Sequence, residues 1–201
     1  MAKASKKVVL KNVRASFVKV FEPGPTFDGK GLQYSVQVLI PKDHPQIKQI
    51  QDAYKEVAQK AFPGVKPGAL RLPLRDSDKE REDGKEKAGH PGMLFLNANA
   101  SIKAKPQVID RWGKVLDSDD DFYSGAWMNV SLAFYDFDKN NSKGIAVGLN
   151  NIQKWADDDR LDGRTSAFDD FEIDESDAPA ADDEAPAAPV AATAESDDEP
   201  W

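Results

Sequence analysis

Met93-Leu94-Phe95-Leu96-Asn97-Ala98-Asn99-Ala100-Ser101-Ile102-Lys103-Ala104-Lys105 has two chemically different faces when it is read with a period of two. Leu94, Leu96, Ala98, Ala100 and Ile102 fall on one side. Met93, Phe95, Asn97, Asn99, Ser101, Lys103 and Lys105 fall on the other. Side chains on a strand alternate between the two faces of a sheet, so this is a strand buried on one face only. Its second face carries an aromatic ring, amides and two cations.

The same period recurs on both sides of this stretch. Val8 to Phe21, rich in Val and Phe with Lys11, Arg14 and Lys19 interleaved, reads as a long strand containing a bulge. Tyr34, Val36, Val38 and Ile40 alternate with Gln33, Ser35 and Gln37. In Ala126 to Phe137 the inward set is Met128, Val130, Leu132 and Phe134, and the outward set is Trp127, Asn129, Ser131 and Tyr135. Ile145, Val147 and Leu149 begin a last strand near Ile152 and Trp155. Arg111-Trp112-Gly113-Lys114 separates two short apolar runs and predicts a hairpin with glycine in the turn. One segment has a different period. After Asp43-His44-Pro45, residues Ile47, Ile50, Ala53, Tyr54, Val57, Ala58 and Ala61 recur every three or four positions, and Pro63-Gly64 ends the pattern. Asp43 is expected to cap this helix, and His44 to lie at the surface. Asp76 to Gly92, dense in both charges, is expected to be an exposed loop. About six strands with glycine and proline turns, plus one inserted α-helix at about 44–62, predict a mainly β chain built as an OB-like barrel.

Composition divides the 201 residues in two. From Asp169 to Trp201 there are 13 acids and no Lys or Arg. Removing them from the chain's 35 acids leaves 22 against all 27 bases, so the body carries +5 within a chain of net charge −8. Domains are therefore expected at 1–168, the OB-like barrel, and 169–201, an acidic tail. The tail, mostly Ala, Pro and acid from Ala178 to Ala194, buries too little surface to offset its ordering entropy and reads as disordered. It ends in Asp197, Asp198, Glu199, Pro200 and Trp201. A terminal aromatic adds nothing to solubility and reads as a docking hook for a protein partner.

Several chemistries find no support. Cysteine is absent, which removes disulfides and thiolate metal sites. There is no phosphate-binding glycine loop of either nucleotide class. Asp119 to Asp121 and Asp157 to Asp159 lack calcium-loop spacing and read as solvated loops. His44 and His90 have no nucleophile partner. No catalytic residue, metal, cofactor or membrane span is expected, and the chain reads as soluble and cytoplasmic.

A basic body with rings on outward strand faces fits single-stranded nucleic acid: bases stack on aromatics and phosphates meet cations. The candidate contacts are Phe95, Lys103 and Lys105 on the two-faced strand, and Arg111 with Trp112 at the hairpin tip. Arg71 and Arg75 flank the short Leu70–Leu74 segment, and Trp127 and Tyr135 face outward. Trp127 and Tyr135 mark a homodimer seam equally well.

Short blocks in a fixed order add a resemblance. They are Leu72-Pro73-Leu74-Arg75-Asp76, Asn97-Ala98-Asn99-Ala100-Ser101 followed by Lys105-Pro106, and Tyr123-Ser124-Gly125. Next come Lys143-Gly144-Ile145, Gly148 to Lys154, Gly163-Arg164 and Asp169-Asp170-Phe171. From about Val8 to Phe171 the chain resembles a family of bacteriophage-encoded single-stranded-DNA-binding proteins. The resemblance implies an OB fold and sequence-independent binding of single strands in phage replication or recombination, inside the infected bacterial host. It further implies that the tail competes with DNA and recruits replication proteins such as a polymerase or helicase. Most such tails end in Phe, whereas this one ends in Trp201. A strand-annealing recombination protein is the alternative.

Overall fold

Ser5–Pro25 form one strand, β1, whose 21 residues border two different neighbours. Its first half pairs antiparallel with β7 (Trp127–Lys139), and its second half with β2 (Leu32–Pro41). Two bulges let it turn from one to the other. The register shifts at these bulges, between Leu10 and Val13 against β7 and between Ser16 and Lys19 against β2, and it shifts once more between Lys19 and Gly24. Asn12 and Phe17, at φ 54° and 47°, occupy those bulges. The computed structural model describes residues 5–26, 28–83, 90–139, 142–161 and 163, all within the unit Met1–Arg164. The acidic tail lies outside the described residues, with Asp197, Asp198, Glu199 and Trp201.

The remaining elements follow in chain order. They are α1 (Ile47–Ala61), β3 (Arg75–Asp76), α2 (Ser77–Glu82), β4 (Met93–Ser101), β5 (Gln107–Ile109), β6 (Val115–Leu116) and β8 (Ser142–Ala156). The sheet order is β3-β4-β2-β1-β7-β8-β5-β6. A parallel contact of β4 with β8, at Ala98↔Val147 and Asn99↔Gly148, closes β1, β2, β4, β8 and β7 into a barrel. This is a mainly β, OB-like barrel. Leu10, Val13, Val36, Val38, Leu96, Met128, Val130, Leu132, Phe134 and Val147 fill it; of these, Val36, Val38, Leu96, Met128, Val130, Leu132 and Phe134 fall on the apolar faces that the period-two reading gave. Ile50, Ala53, Tyr54 and Val57, the α1 stripe, are buried in the same core.

Four local expectations are corrected. First, α1 begins at Ile47, and Asp43 does not cap it. Instead His44 Nε2 bonds the Lys11 carbonyl at 2.9 Å, so that Nδ1 accepts from the Gln46 N–H at 3.2 Å. The Gln46 amide accepts from Lys11 N–H and donates to the Val9 carbonyl. The residues before the helix thus satisfy the strand groups that the first bulge leaves unpaired. Second, the charged stretch contains α2, capped by the Asp76 carboxylate, which accepts from Asp78 N–H at 3.1 Å. Third, β3 extends the sheet beyond β4. Fourth, β4 stops at Ser101, where its partner β2 also runs out (Gln33↔Ser101). Ala104 N–H turns back onto the Ser101 carbonyl at 2.9 Å, leaving Ile102 exposed, Lys103 in the turn and Lys105 in the irregular stretch just beyond it.

Candidate nucleic-acid interface

The β5–β6 hairpin is built as its sequence predicts. The Asp110 carboxylate accepts from the backbone N–H groups of Trp112 at 2.8 Å and Lys114 at 2.9 Å. Gly113 closes the turn at φ 94°, a conformation that costs a residue with a Cβ. Trp112 is thereby held out from the barrel, 77% exposed, with the Arg111 guanidinium 4.4 Å from its ring centre. Because β5 runs parallel beside the end of β8 (Gln107↔Asn151, Ile109↔Gln153), the tip faces the residues that end β8. A cleft of about 490 Å³ results, with Arg111, Trp112 and Lys114 on one wall and Lys154, Trp155 and Asp157 on the other. Trp155, 47% exposed, was not singled out as a contact. The available signal was Lys154-Trp155 itself, a second cation–indole neighbour pair.

Trp127 has a different situation. Its indole N–H donates to Asp158 at 2.8 Å, and Arg14 closes over it, 3.2 Å from the same carboxylate and 6.0 Å from the ring centre. Arg14 also donates to the carbonyls of Gly125 and Asp159. The Asp159 N–H first, then the indole N–H, hold the Asp158 carboxyl below its ordinary range. Asp157 pairs with Lys154 at 2.7 Å and accepts from the Tyr123 hydroxyl at 2.8 Å. This second aspartate run therefore anchors the barrel's exit segment and is not merely solvated.

Phe95 requires a correction. It lies on the outer face as the alternation requires, yet it is only 1% exposed. Leu39 adjoins it, Met93 and Leu161 pack on the pair, and Arg75 Cζ stands 4.5 Å from its ring. The covering chain is the segment after β8, whose Leu161 N–H bonds the Ser124 carbonyl at 2.8 Å. No base can reach this ring. Tyr135 is half-buried and lies beside Gly148, where a Cβ would stand 3.4 Å from its Cε1. Arg71 is bound by its backbone into a bridge beside β8, donating to the Lys143 carbonyl and accepting from Ile145 N–H. Only a glycine at 144 permits this, since a Cβ there would be 2.3 Å from the Arg71 carbonyl oxygen.

The strand registers sort the predicted contacts into two groups. Arg71, Arg75, Phe95 and Tyr135 lie toward the starts of β4 and β8. Lys103, Lys105, Arg111, Trp112 and Trp127 lie toward their ends. Between the groups, β2 and β4 present Gln33, Ser35, Asn97, Asn99 and Ser101 on the outer face, with Gln37 Nε2 donating to Asn97 at 3.1 Å. Among the described residues, no three of His, Asp and Glu gather as metal ligands would, and no helix is long and apolar enough to cross a membrane.

Similar proteins fit this geometry. The family model described as Enterobacter phage Enc34, ssDNA-binding protein, matches residues 6–184. Protein p50 of Acyrthosiphon pisum secondary endosymbiont phage 1 is 33% identical over 184 residues, covering 84% of this chain and 96% of the relative. The structure of the single-stranded DNA-binding protein from bacteriophage Enc34 in complex with ssDNA superposes with a TM-score of 0.63 at 27% identity. That match covers 77% of this chain and 89% of the other. Gp2.5, a single-stranded DNA binding protein encoded by bacteriophage T7, shares the fold with a TM-score of 0.51 at 16% identity, over 83% of this chain and 99% of its own. A family match over most of the barrel, in a chain with these exposed indoles and cations, settles the assignment: this chain belongs to the Enc34 phage single-stranded-DNA-binding protein family.

Proposed function

We propose that this chain binds single-stranded DNA without sequence preference during phage replication or recombination, as a coating protein and not an enzyme. The observation that carries the reading is the cleft lined by Trp112 and Trp155 together with Arg111, Lys114 and Lys154, beside Asp110, Asp121 and Asp157. An unpaired base presents its π-face to an indole, worth about 1–3 kcal/mol per base whatever its identity. The cations neutralise neighbouring phosphates and release their counterions, which makes affinity fall with salt. The amide and hydroxyl groups on the outer face of β2 and β4 add hydrogen bonds to sugar and phosphate that fix position but read no sequence. In OB folds the second and third barrel strands form the ordinary oligonucleotide platform, and β2 and β4 hold those places here. Arg71, Arg75, Lys103, Lys105 and Tyr135 extend the path as secondary contacts. The solved Enc34 relative in complex with ssDNA supports the same ligand.

The acidic tail serves as a competitor for the basic surface, through its 13 carboxylates. Asp197, Asp198, Glu199 and Trp201 recruit a replication protein, a polymerase or helicase, in the cytoplasm of the infected bacterium.

The test is a titration of fluorescent oligo-dT and of matched duplex across salt concentrations. Tighter binding to oligo-dT, with quenching of tryptophan emission and a linear fall of log affinity with log salt, is expected. Preference for duplex, or no binding at low salt, overturns the proposal.

A further inference from the structure

Phe17 is a bulky residue in the left-handed region, φ 47°, and still half-exposed at 52%. Left-handed backbone is a true outlier for such a side chain and persists only where its surroundings over-determine it. The surroundings here are plain. On one side Ala15 exchanges hydrogen bonds with Gly125 and Ala126, donating at 2.9 Å and accepting at 2.8 Å. On the other, Val18 N–H donates to the Ser124 hydroxyl at 3.1 Å. The backbone is clamped on both sides of Phe17, and the second bulge of β1 turns the ring out of the sheet instead of into the core.

The ring lines a cleft of about 430 Å³ with Lys19, Asp119, Tyr123 and Arg160. The Arg160 guanidinium stacks 4.2 Å from the Tyr123 ring centre and meets Asp120 at 3.6 Å. Lys154 lies 5.6 Å from the same ring and also lines the Trp112–Trp155 cleft, so Tyr123 and Lys154 form the partition between the two. A strained, exposed ring beside a lysine and an arginine has the chemistry of a nucleotide seat, with the base on the ring and the phosphate on the cations.

We propose that this cleft is a second nucleotide subsite, in which an unpaired base stacks on Phe17 and its phosphate lies against Lys19 and Arg160. The proposal rests on the single-stranded-DNA reading above and extends it: one strand runs from the Trp112–Trp155 cleft past Tyr123 to Phe17. Phosphate displaces Asp120 from Arg160 as the strand enters.

The test uses the full chain with oligo-dT and an abasic oligomer of equal length, which keeps the phosphates and lacks the bases. Phe17→Gly suits the left-handed backbone, so this variant is expected to melt at or above the wild type. It should lose roughly 5- to 150-fold in oligo-dT affinity and nothing on the abasic strand. Phe17→Leu, which keeps apolar bulk without a π-face, should lose similarly, and Phe17→Tyr should bind within about twofold of wild type. Wild-type affinity in both Phe17→Gly and Phe17→Leu, while Trp112→Ala binds weakly, overturns the second subsite alone. Equal loss in Phe17→Gly and Phe17→Tyr shows that the bulge and not the ring matters, and overturns it too. Failure of the wild type itself to bind oligo-dT removes the underlying reading instead.

Discussion

Trp112 and Trp127 each stand beside an arginine, and their roles diverge because one indole N–H has a carboxylate partner within the chain. Trp127 is tied to Asp158 and covered by Arg14, whereas Trp112 offers its face to solvent. Trp112→Ala should therefore weaken oligo-dT binding by about 1–3 kcal/mol while leaving the melting temperature unchanged. Trp127→Phe should do the reverse, costing about 1 kcal/mol of stability in thermal denaturation with little change in affinity. Phe95→Ala belongs with the second kind: a fully buried ring is worth about 3–5 kcal/mol of fold stability, and its loss should register in denaturant melts. Alternation in the sequence placed Phe95 on the outer face correctly. That Leu161, far along the chain, would cover it is a tertiary fact with no periodic trace. Tyr123 supplies a spectroscopic check. Burial first, then the Asp157 carboxylate, push its hydroxyl up to about 12. Its folded pKa lies above the ordinary value near 10, so the stability it contributes is complete below pH 10 and is lost between about 10 and 12. An ultraviolet titration of the tyrosinate band should show this late component disappearing in Tyr123→Phe.

Elements with enough residues to repeat a pattern were legible, and shorter ones were not. The α1 stripe and the alternation of β2, β4 and β7 each span several periods, so their buried faces follow from spacing alone. β3 has two residues and α2 six, too few to show either period, and both depend on tertiary partners: β3 on the β4 edge, and α2 on Lys42, which meets Asp76 at 3.0 Å and Asp78 at 2.8 Å. The hairpin was legible for a chemical reason, since Asp110 and Gly113 are turn-forming residues. Asp110→Ala removes the acceptor shared by Trp112 and Lys114. It should loosen the tip and lower oligo-dT affinity nearly as far as Trp112→Ala does, with the barrel's circular dichroism unchanged. Between elements, Glu56 of α1 binds Lys6 of β1 at 2.8 Å and Lys60 at 2.7 Å. Those bonds, Lys6 foremost, pull its carboxyl down to about 2 from 4.5. A depressed folded pKa contributes stability above pH 4.5 that disappears as the pH falls toward 2. Glu56→Gln should consequently be less stable than wild type at neutral pH and indistinguishable from it near pH 2.

For the whole molecule, charge is the decisive quantity, and it was read completely from the sequence: +5 on the body against 13 carboxylates beyond it. Cutting the chain after Phe168 should tighten oligo-dT binding, most at low salt where exposed charges are least screened, with the gain shrinking as salt rises. Equal affinity with and without the tail would end the competition idea. A bulge in β1 was expected from the sequence; what charge and pattern left unread was that the strand bends twice and pairs with two different neighbours, because pairing partners are a tertiary fact that no hydrophobic period announces. That path has a mechanical outcome. A single polypeptide rail belongs to both walls of the barrel, so neither wall can detach without stripping amides from the other. Hydrogen exchange along Ser5–Pro25 should therefore proceed only by global opening, with protection in both halves vanishing together as denaturant is raised.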